Sequence, residues 1–428
     1  METSHTPEPP RLSSPAETIA NHDDLLSQIL LRLEAKSLIR YQCVSKHWLS
    51  LISSPKFRER HTLRNPSPPL SAFFFLSTAK RLTFVSLSGG STSCPLDSVP
   101  ELAGVKILQS CNGLLLCCSG GGERSRRGFY VVNPTTSQFS KLPSPPYGYQ
   151  FDDSVGVAIA FDPCRTGNVN YKVVAVWEIG PNSVGIGIYA SETRSWSLGL
   201  SAVEFMQGQF ELDFSRGVYC NGAMHWLTHK DELLYCHIGD GNDEKVVKDG
   251  VVASPVGLVF DREYRYFGES CGRLQLIDVF KPFVTQFEVR ELKPDYSGWV
   301  VKYHVDVYST VEAYRPCVNE MLMPREGSGW FVKCKADLYS TSYSFQEVVG
   351  YYLDRYYSYV VLAFTGEENG GDPCVLLYFP AKVISYNLRD RTFKKLCDVA
   401  PVDTGVANGS LHVEWVEAYH HVATLASV

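Results

Sequence analysis

With 428 residues, 44% hydrophobic and 20% charged, the chain has enough apolar side chain for a large core and a length that fits two domains, which excludes a disordered protein. The net charge of −6 hides a basic stretch: residues 32–64 hold eight Lys and Arg against two acids, while the residues before hold one base and five acids and those after 31 bases and 39 acids. A basic segment on an acidic body suits an acidic protein partner. It argues against nucleic acid, because the positive charge is not spread along a groove with interleaved aromatics.

No stretch is apolar for long enough to span a bilayer, and the opening residues are polar and proline-rich, so neither a membrane anchor nor a signal peptide is expected. Thirteen cysteines lie scattered with no CxxC pair. Neither metal ligation nor a disulfide framework is expected from that spacing; reduced thiols point to the cytoplasm or nucleus.

In chain order, residues 1–20, with Pro7, Pro9, Pro10 and Pro15, read as a disordered leader. Residues 21–60 read as three short helices. Asp23 or Asp24 is placed to cap the first, which carries Leu25, Leu26, Ile29, Leu30 and Leu33 at helical spacing. Ser37 is placed to cap a second, with Leu38, Ile39, Tyr41, Cys43 and Val44. The third puts Val44, Trp48, Leu51 and Ile52 on one side and is expected to stop at Pro55. These are more large apolar side chains than so small a unit can bury. Each buried leucine-sized group is worth ~1.5–3 kcal/mol, so a covering partner is expected to bind well.

The order of residues, DLLSQILLRLEAKSLIRYQCVSKHW, resembles the F-box, the helical module that docks on the Skp adaptor of cullin-based ubiquitin ligases. Leu30-Arg32-Leu33, Lys36-Ser37-Leu38, Arg40, Cys43–Lys46 and Trp48 follow its plant form. Two positions depart: the family opens with Leu-Pro where this chain has Asn21-His22, and has Pro after Arg-Leu where it has Glu34. The resemblance implies a Skp-family adaptor, and a cullin through it, as partners. The residues expected to face the adaptor or hold the helices together are Leu25, Leu26, Ile29, Leu30, Leu33, Leu38, Val44 and Trp48, and Leu30→Asp is expected to abolish adaptor binding.

Residues 61–70, with Pro66, Pro68 and Pro69, read as a stiff link. Beyond it, short β-branched or aromatic runs such as Ser71–Leu76, Gly113–Cys118, Val155–Phe161, Tyr171–Trp177 and Tyr359–Phe364 end in Gly, Asn, Asp or Pro. A branched or aromatic residue precedes an aromatic by seven positions three times, in Val132/Phe139, Tyr189/Trp196 and Tyr386/Phe393, each across a polar turn. Cys111-Asn112-Gly113, Cys220-Asn221-Gly222 and Cys271-Gly272 mark further turns, at a spacing that fits one unit about every 50 residues. Four strands with turns need that length. Residues 71–402 are therefore expected to form an all-β, propeller-like domain of six or seven blades behind the small all-α head. SCNGLLLCCS with FYVVNPTTSQFSKLP, and the hairpins IGIYASETRSWSL and VISYNLRDRTFKKL, resemble the F-box-associated, kelch-like domain of plant F-box proteins. Residues 403–428 read either as a tail or as a strand closing the ring.

The residues that resemble active-site patterns have simpler readings. Gly268–Gly272 fits GxSxG, but the strand-like RLQLIDV behind it makes a hairpin turn the better account. His225, His229 and His237 are expected to be partly exposed strand residues, Asp240, Asp243 and Glu244 a solvated loop, and Gly120–Gly122 a flexible hairpin tip. No cofactor and no catalytic constellation is expected. The resemblance implies a non-catalytic substrate receptor of a Skp–cullin–F-box ligase, with the β domain holding a target protein. The alternatives are a carbohydrate-binding or other interaction propeller, or an adaptor-binding protein that does not promote degradation.

Overall fold

Neither Asp23 nor Asp24 caps the first helix; both lie inside its opening turn, after His22, which makes no side-chain cap bond. Their charge still favours that end of the helix dipole. The structure is a computed structural model. It describes residues 19, 22–77, 82–88, 93–119, 128–144, 156–180, 183–202, 214–228, 231–238, 246–252, 262–280, 285–311, 313, 359–366, 371–379, 382–399 and 415–428.

The head contains α1 (Asp23–Leu30), α2 (Ala35–Tyr41), α3 (Lys46–Ser53) and a fourth helix, α4 (Pro55–Arg64). One sequence expectation needs correction here and another needs extending. Ser37 lies within the first turn of α2, whose cap position is taken by Glu34. α3 ends at Ser53, just ahead of Pro55 as expected, but the helical region continues, with Pro55 in the first position of α4, where its missing N–H costs nothing. Ser54 serves both neighbours: its hydroxyl donates to Leu51 O at the end of α3 and accepts from Phe57 N at the start of α4. The expected link over 61–70 is thus helical to Arg64 and already strand at Leu70.

Behind the head the described residues form six sheets, one of three strands and five of four. The first blade holds β1 (Leu70–Ser77), β2 (Leu82–Ser86) and β23 (Trp415–Val422). The second holds β3 (Lys106–Cys111), β4 (Leu114–Cys118), β5 (Phe129–Asn133) and β6 (Gln138–Lys141). The third holds β7 (Gly156–Ala160), β8 (Lys172–Gly180), β9 (Ser183–Ala190) and β10 (Ser195–Ala202). The fourth holds β11 (Val218–Cys220), β12 (Ala223–Leu227), β13 (Glu232–His237) and β14 (Val246–Val252). The fifth holds β15 (Arg262–Ser270), β16 (Arg273–Phe280), β17 (Gln286–Leu292) and β18 (Trp299–Asp306). The sixth holds β19 (Val360–Thr365), β20 (Cys374–Phe379), β21 (Lys382–Asn387) and β22 (Phe393–Asp398).

Val132 pairs directly with Phe139, Tyr189 with Trp196 and Tyr386 with Phe393. Each pair spans the turn from the third to the fourth strand of its blade, and Ser137, Arg194 and Arg391 take the same left-handed place in the three turns. The other marker is the turn from first to second strand. Asn112, Asn221 and Cys271 have φ of 44°, 50° and 55°, each followed by a left-handed glycine, the conformation a two-residue hairpin needs. GxSxG falls at this turn of the fifth blade, with Ser270 paired to Arg273.

Of residues 403–428, 403–414 lie outside the described residues, and within 415–428 the strand β23 pairs antiparallel with β1, so one blade is built from both ends of the propeller. Side chains stitch the inner strands from blade to blade. Ser110 Oγ donates to His420 O, and Gln109 accepts from Ile159 N and donates to Gly217 O. Asn221 donates to Gly272 O and Tyr264 to Val361 O, and His420 Nε2 lies 2.9 Å from Leu362 O, completing the ring. Apolar clusters fill the spaces between blades, such as Leu116, Val131, Ile159 and Val173 between the second and third.

Candidate functional site

The eight residues singled out in the head separate into three environments. Leu26, Leu30 and Leu38 are buried at 3%, 1% and 0% exposure, and pack with Leu31, Ala35, Ile52 and Phe57. Leu33 and Trp48 pack partly buried against that cluster. Leu25, Ile29 and Val44 remain 44%, 48% and 56% exposed. Leu30 is therefore a core residue, and a charge there tests the fold of the head, not its contact with a partner. Val44 lies in the turn before α3, outside that helix's inward face.

Ten large apolar residues are exposed among the described residues, and six of them, Ile19, Leu25, Ile29, Tyr41, Val44 and Leu49, belong to residues 19–49. Soluble surfaces seldom gather apolar groups so unevenly. Leu25 and Ile29 are one turn apart on α1. His47 Nε2 sits 3.2 Å from Asp23 Oδ1, joining the start of α3 to α1, and Tyr41 meets Trp48 edge-on at 6.0 Å. Arg32, Arg40 and Lys46 are exposed in the same segments, so the surface is apolar with a basic border. Tyr41 and Leu49 were not among the expected site residues. The missing signal was exposure, which a helical repeat alone does not give for helices of seven or eight residues.

Behind this surface, α4 braces the head. His61 Nε2 lies 2.8 Å from Leu33 O, and Asn65 donates to Leu31 O. Burial holds the His61 pKa below its usual range, partly opposed by the Leu33 carbonyl, and favours the neutral ring. The chain covers part of the head's apolar excess itself, with Leu425 in the core and Ala423 beside it.

The propeller's inner strands line a cavity of 1310 Å³ that reaches Pro66 and Pro68 at the head side. Cys111 and Cys220 line it, but burial pushes both thiols up to about 12, so they stay protonated and are poor nucleophiles. Arg265 also lines it and is held bidentately by Asp278, with Nε 2.6 Å from Oδ1 and Nη2 2.9 Å from Oδ2. Ser270 Oγ accepts from Gly366 N, a bond between the fifth and sixth blades.

His225 corrects the expectation of partial exposure. It is fully buried on β12, with Nε2 2.6 Å from the Tyr296 hydroxyl and its ring stacked on that tyrosine. His237 is exposed, and His229, Asp240, Asp243, Glu244 and Gly120–Gly122 lie outside the described residues. Among the described residues no group of three or more His, Cys, Asp or Glu is arranged to hold a metal ion.

Residues 22–60 match the family described as F-box domain, and residues 83–240 the family described as F-box associated beta propeller domain. F-box protein At5g07610 of Arabidopsis thaliana is 31% identical over 416 residues, covering 90% of this chain and 87% of that protein. F-box/kelch-repeat protein At3g23880, also of Arabidopsis thaliana, is 29% identical, covering 48% of this chain and 58% of that protein. Among solved structures, SapL1 lectin in complex with alpha methyl fucoside aligns at 9% identity with a TM-score of 0.35, over 79% of this chain and 99% of that one. That likeness is too slight to bear on function.

Proposed function

Since the chain belongs to the plant F-box proteins with an F-box-associated β-propeller domain, we propose that it is a substrate receptor of a Skp–cullin–F-box ubiquitin ligase. The head binds a Skp-family adaptor, and through it a cullin; the propeller holds a target protein. The observation that carries this reading is the crowding of Leu25, Ile29, Tyr41, Val44 and Leu49 on one small helical unit, bordered by Arg32, Arg40 and Lys46. An acidic adaptor with an apolar groove complements that surface in both respects. Bond-making then belongs to other subunits. This chain acts by proximity, raising the effective concentration of target lysines near the charged conjugating enzyme. The eleven described cysteines are all free, which supports a reducing compartment, the cytoplasm or nucleus.

The test is a pull-down of a plant Skp adaptor by the full chain carrying Leu25→Asp and Ile29→Asp. Both side chains are exposed, so the propeller and head stay folded. Losing the burial of one such side chain costs ~1.5–3 kcal/mol, so the pair is expected to weaken adaptor binding by at least about 100-fold. Wild-type retention by the double variant sinks the proposed face, and no capture by the wild type sinks the receptor reading.

A further inference from the structure

The segment after β23 touches both domains with neighbouring residues. Leu425 is fully buried in the core of the head, among Leu26, Leu30, Leu38 and Ile52. Ala426, the next residue and also fully buried, packs into the cluster between the second and third blades. Its backbone is tied to the propeller at the same place. Asn133 Nδ2 donates to both Thr424 O, at 3.1 Å, and Ala426 O, at 2.7 Å, and Thr424 N donates to Thr135 Oγ1. Gly113 shows how closely the segment lies on the second blade: it has φ of +91°, and a Cβ there would stand 2.6 Å from Val422 O and 2.7 Å from Thr424 Cγ2.

Among the described residues the head has other connections to the propeller, the packing of α4 against Pro163–Thr166 of the third blade among them. One is the covalent link after α4, with Pro66, Pro68 and Pro69. Another is Arg58, whose Nη1 lies 2.5 Å from Gln138 Oε1 while its Nε has no partner among the described residues. A single covalent link, even one rich in proline, resists bending better than it resists rotation about its own axis. A second stretch of chain across the junction, fixed at both ends, adds to what the Arg58 bond and the packing of α4 do to limit that rotation.

We propose that Thr424–Ala426 is a strap that fixes the direction in which the F-box points from the propeller, with Asn133 and Leu425 as its positioning residues. The consequence for ubiquitin transfer rests on the receptor reading above, because a target held by the propeller reaches the conjugating enzyme only along the direction the head sets. The geometry of the strap does not rest on it.

Asn133→Asp separates the strap from the rest of the fold. The side chain's remaining oxygen still accepts from Thr135 N and Thr136 N in the β5–β6 turn, while the lost amide puts a carboxylate oxygen against two carbonyls. In the full chain, we expect hydrogen exchange at 424–426 and in α4 to accelerate by about tenfold or more. Small-angle scattering of the chain bound to adaptor is expected to broaden, with adaptor affinity within about threefold of wild type. Leu425→Ala is expected to give the same broadening together with a less stable head. A purely structural role predicts a lower melting temperature with an unchanged scattering profile; that result, or unchanged exchange in Asn133→Asp, overturns the proposal. If the wild-type chain ignores the adaptor, the receptor reading falls, and exchange and scattering of the free chain still decide the strap.

Discussion

His421 lies between the rings of Phe74 and Phe84 with its Nδ1 unpartnered, and His225 is buried against Tyr296. Burial lowers the pKa of both rings, His225 to about 4 and His421 to about 3, because the charged form has lost its water. The unfolded chain takes up these protons near pH 6.5 and the folded chain refuses them until far lower, so the stability is complete above about pH 6.5 and is lost as pH falls toward about 4. Every tenfold drop in a ring's proton affinity on folding is worth about 1.4 kcal/mol, so several kcal/mol should disappear across that window. Unfolding followed at pH 7.5 and 4.5 checks this, and His421→Phe should flatten the profile. Asp278 presents a different cost. Its side chain is 3% exposed and it neutralises both Arg262 and Arg265. Asp278→Ala leaves those charges with Asp231 as their one carboxylate partner among the described residues, and a loss of about 3–5 kcal/mol is expected in denaturant unfolding, with Asp278→Asn milder.

The hairpin turns are readable as elements from the sequence, because their chemistry lies within four to eight residues. The seven-residue spacing from Val132 to Phe139 is a direct cross-strand pair, and Cys-Asn-Gly is a left-handed turn in two blades. Helix boundaries are less legible. Ser, Asp and Pro signals are ambiguous when helices are separated by only one to four residues, so Ser37 falls inside the helix it is expected to cap, and Pro55, which does mark the end of α3, also opens α4. Two changes test the boundaries now seen. Ser54→Ala removes a hydroxyl shared by α3 and α4 and is expected to cost the head about 1 kcal/mol, measured as a shift in its melting. Glu34, where the plant F-box family carries proline, already has φ of −65°, the angle proline imposes. Glu34→Pro is therefore expected to stabilise the head by ~0.4–1 kcal/mol; a fall in stability would mean that the turn before α2 differs from the family's.

At the scale of the molecule, ring closure depends on β23, whose pairing with β1 joins Leu70 to Val422, and beside that pair Ser71 Oγ donates to His421 O across 350 positions of the chain. Ending the chain before Trp415 removes the inner strand of the first blade and exposes a bare strand edge. Loss of the cooperative melt and aggregation are expected, read by circular dichroism and gel filtration; a truncated chain that melts like the full one overturns the dependence on β23. Composition, turn chemistry and residue order alone determined a basic helical head of F-box type and a β domain of repeated four-stranded units, because those signals act between near neighbours. They also named Leu25, Ile29 and Val44, but not that these three face outward while Leu26, Leu30 and Leu38 face in. Tertiary structure alone decided that division, the count of six blades, the closing strand and the docking of Leu425 into the head. Each depends on which surfaces the distant chain covers, and Asn133 and Ala426 meet across 293 positions that no local pattern spans.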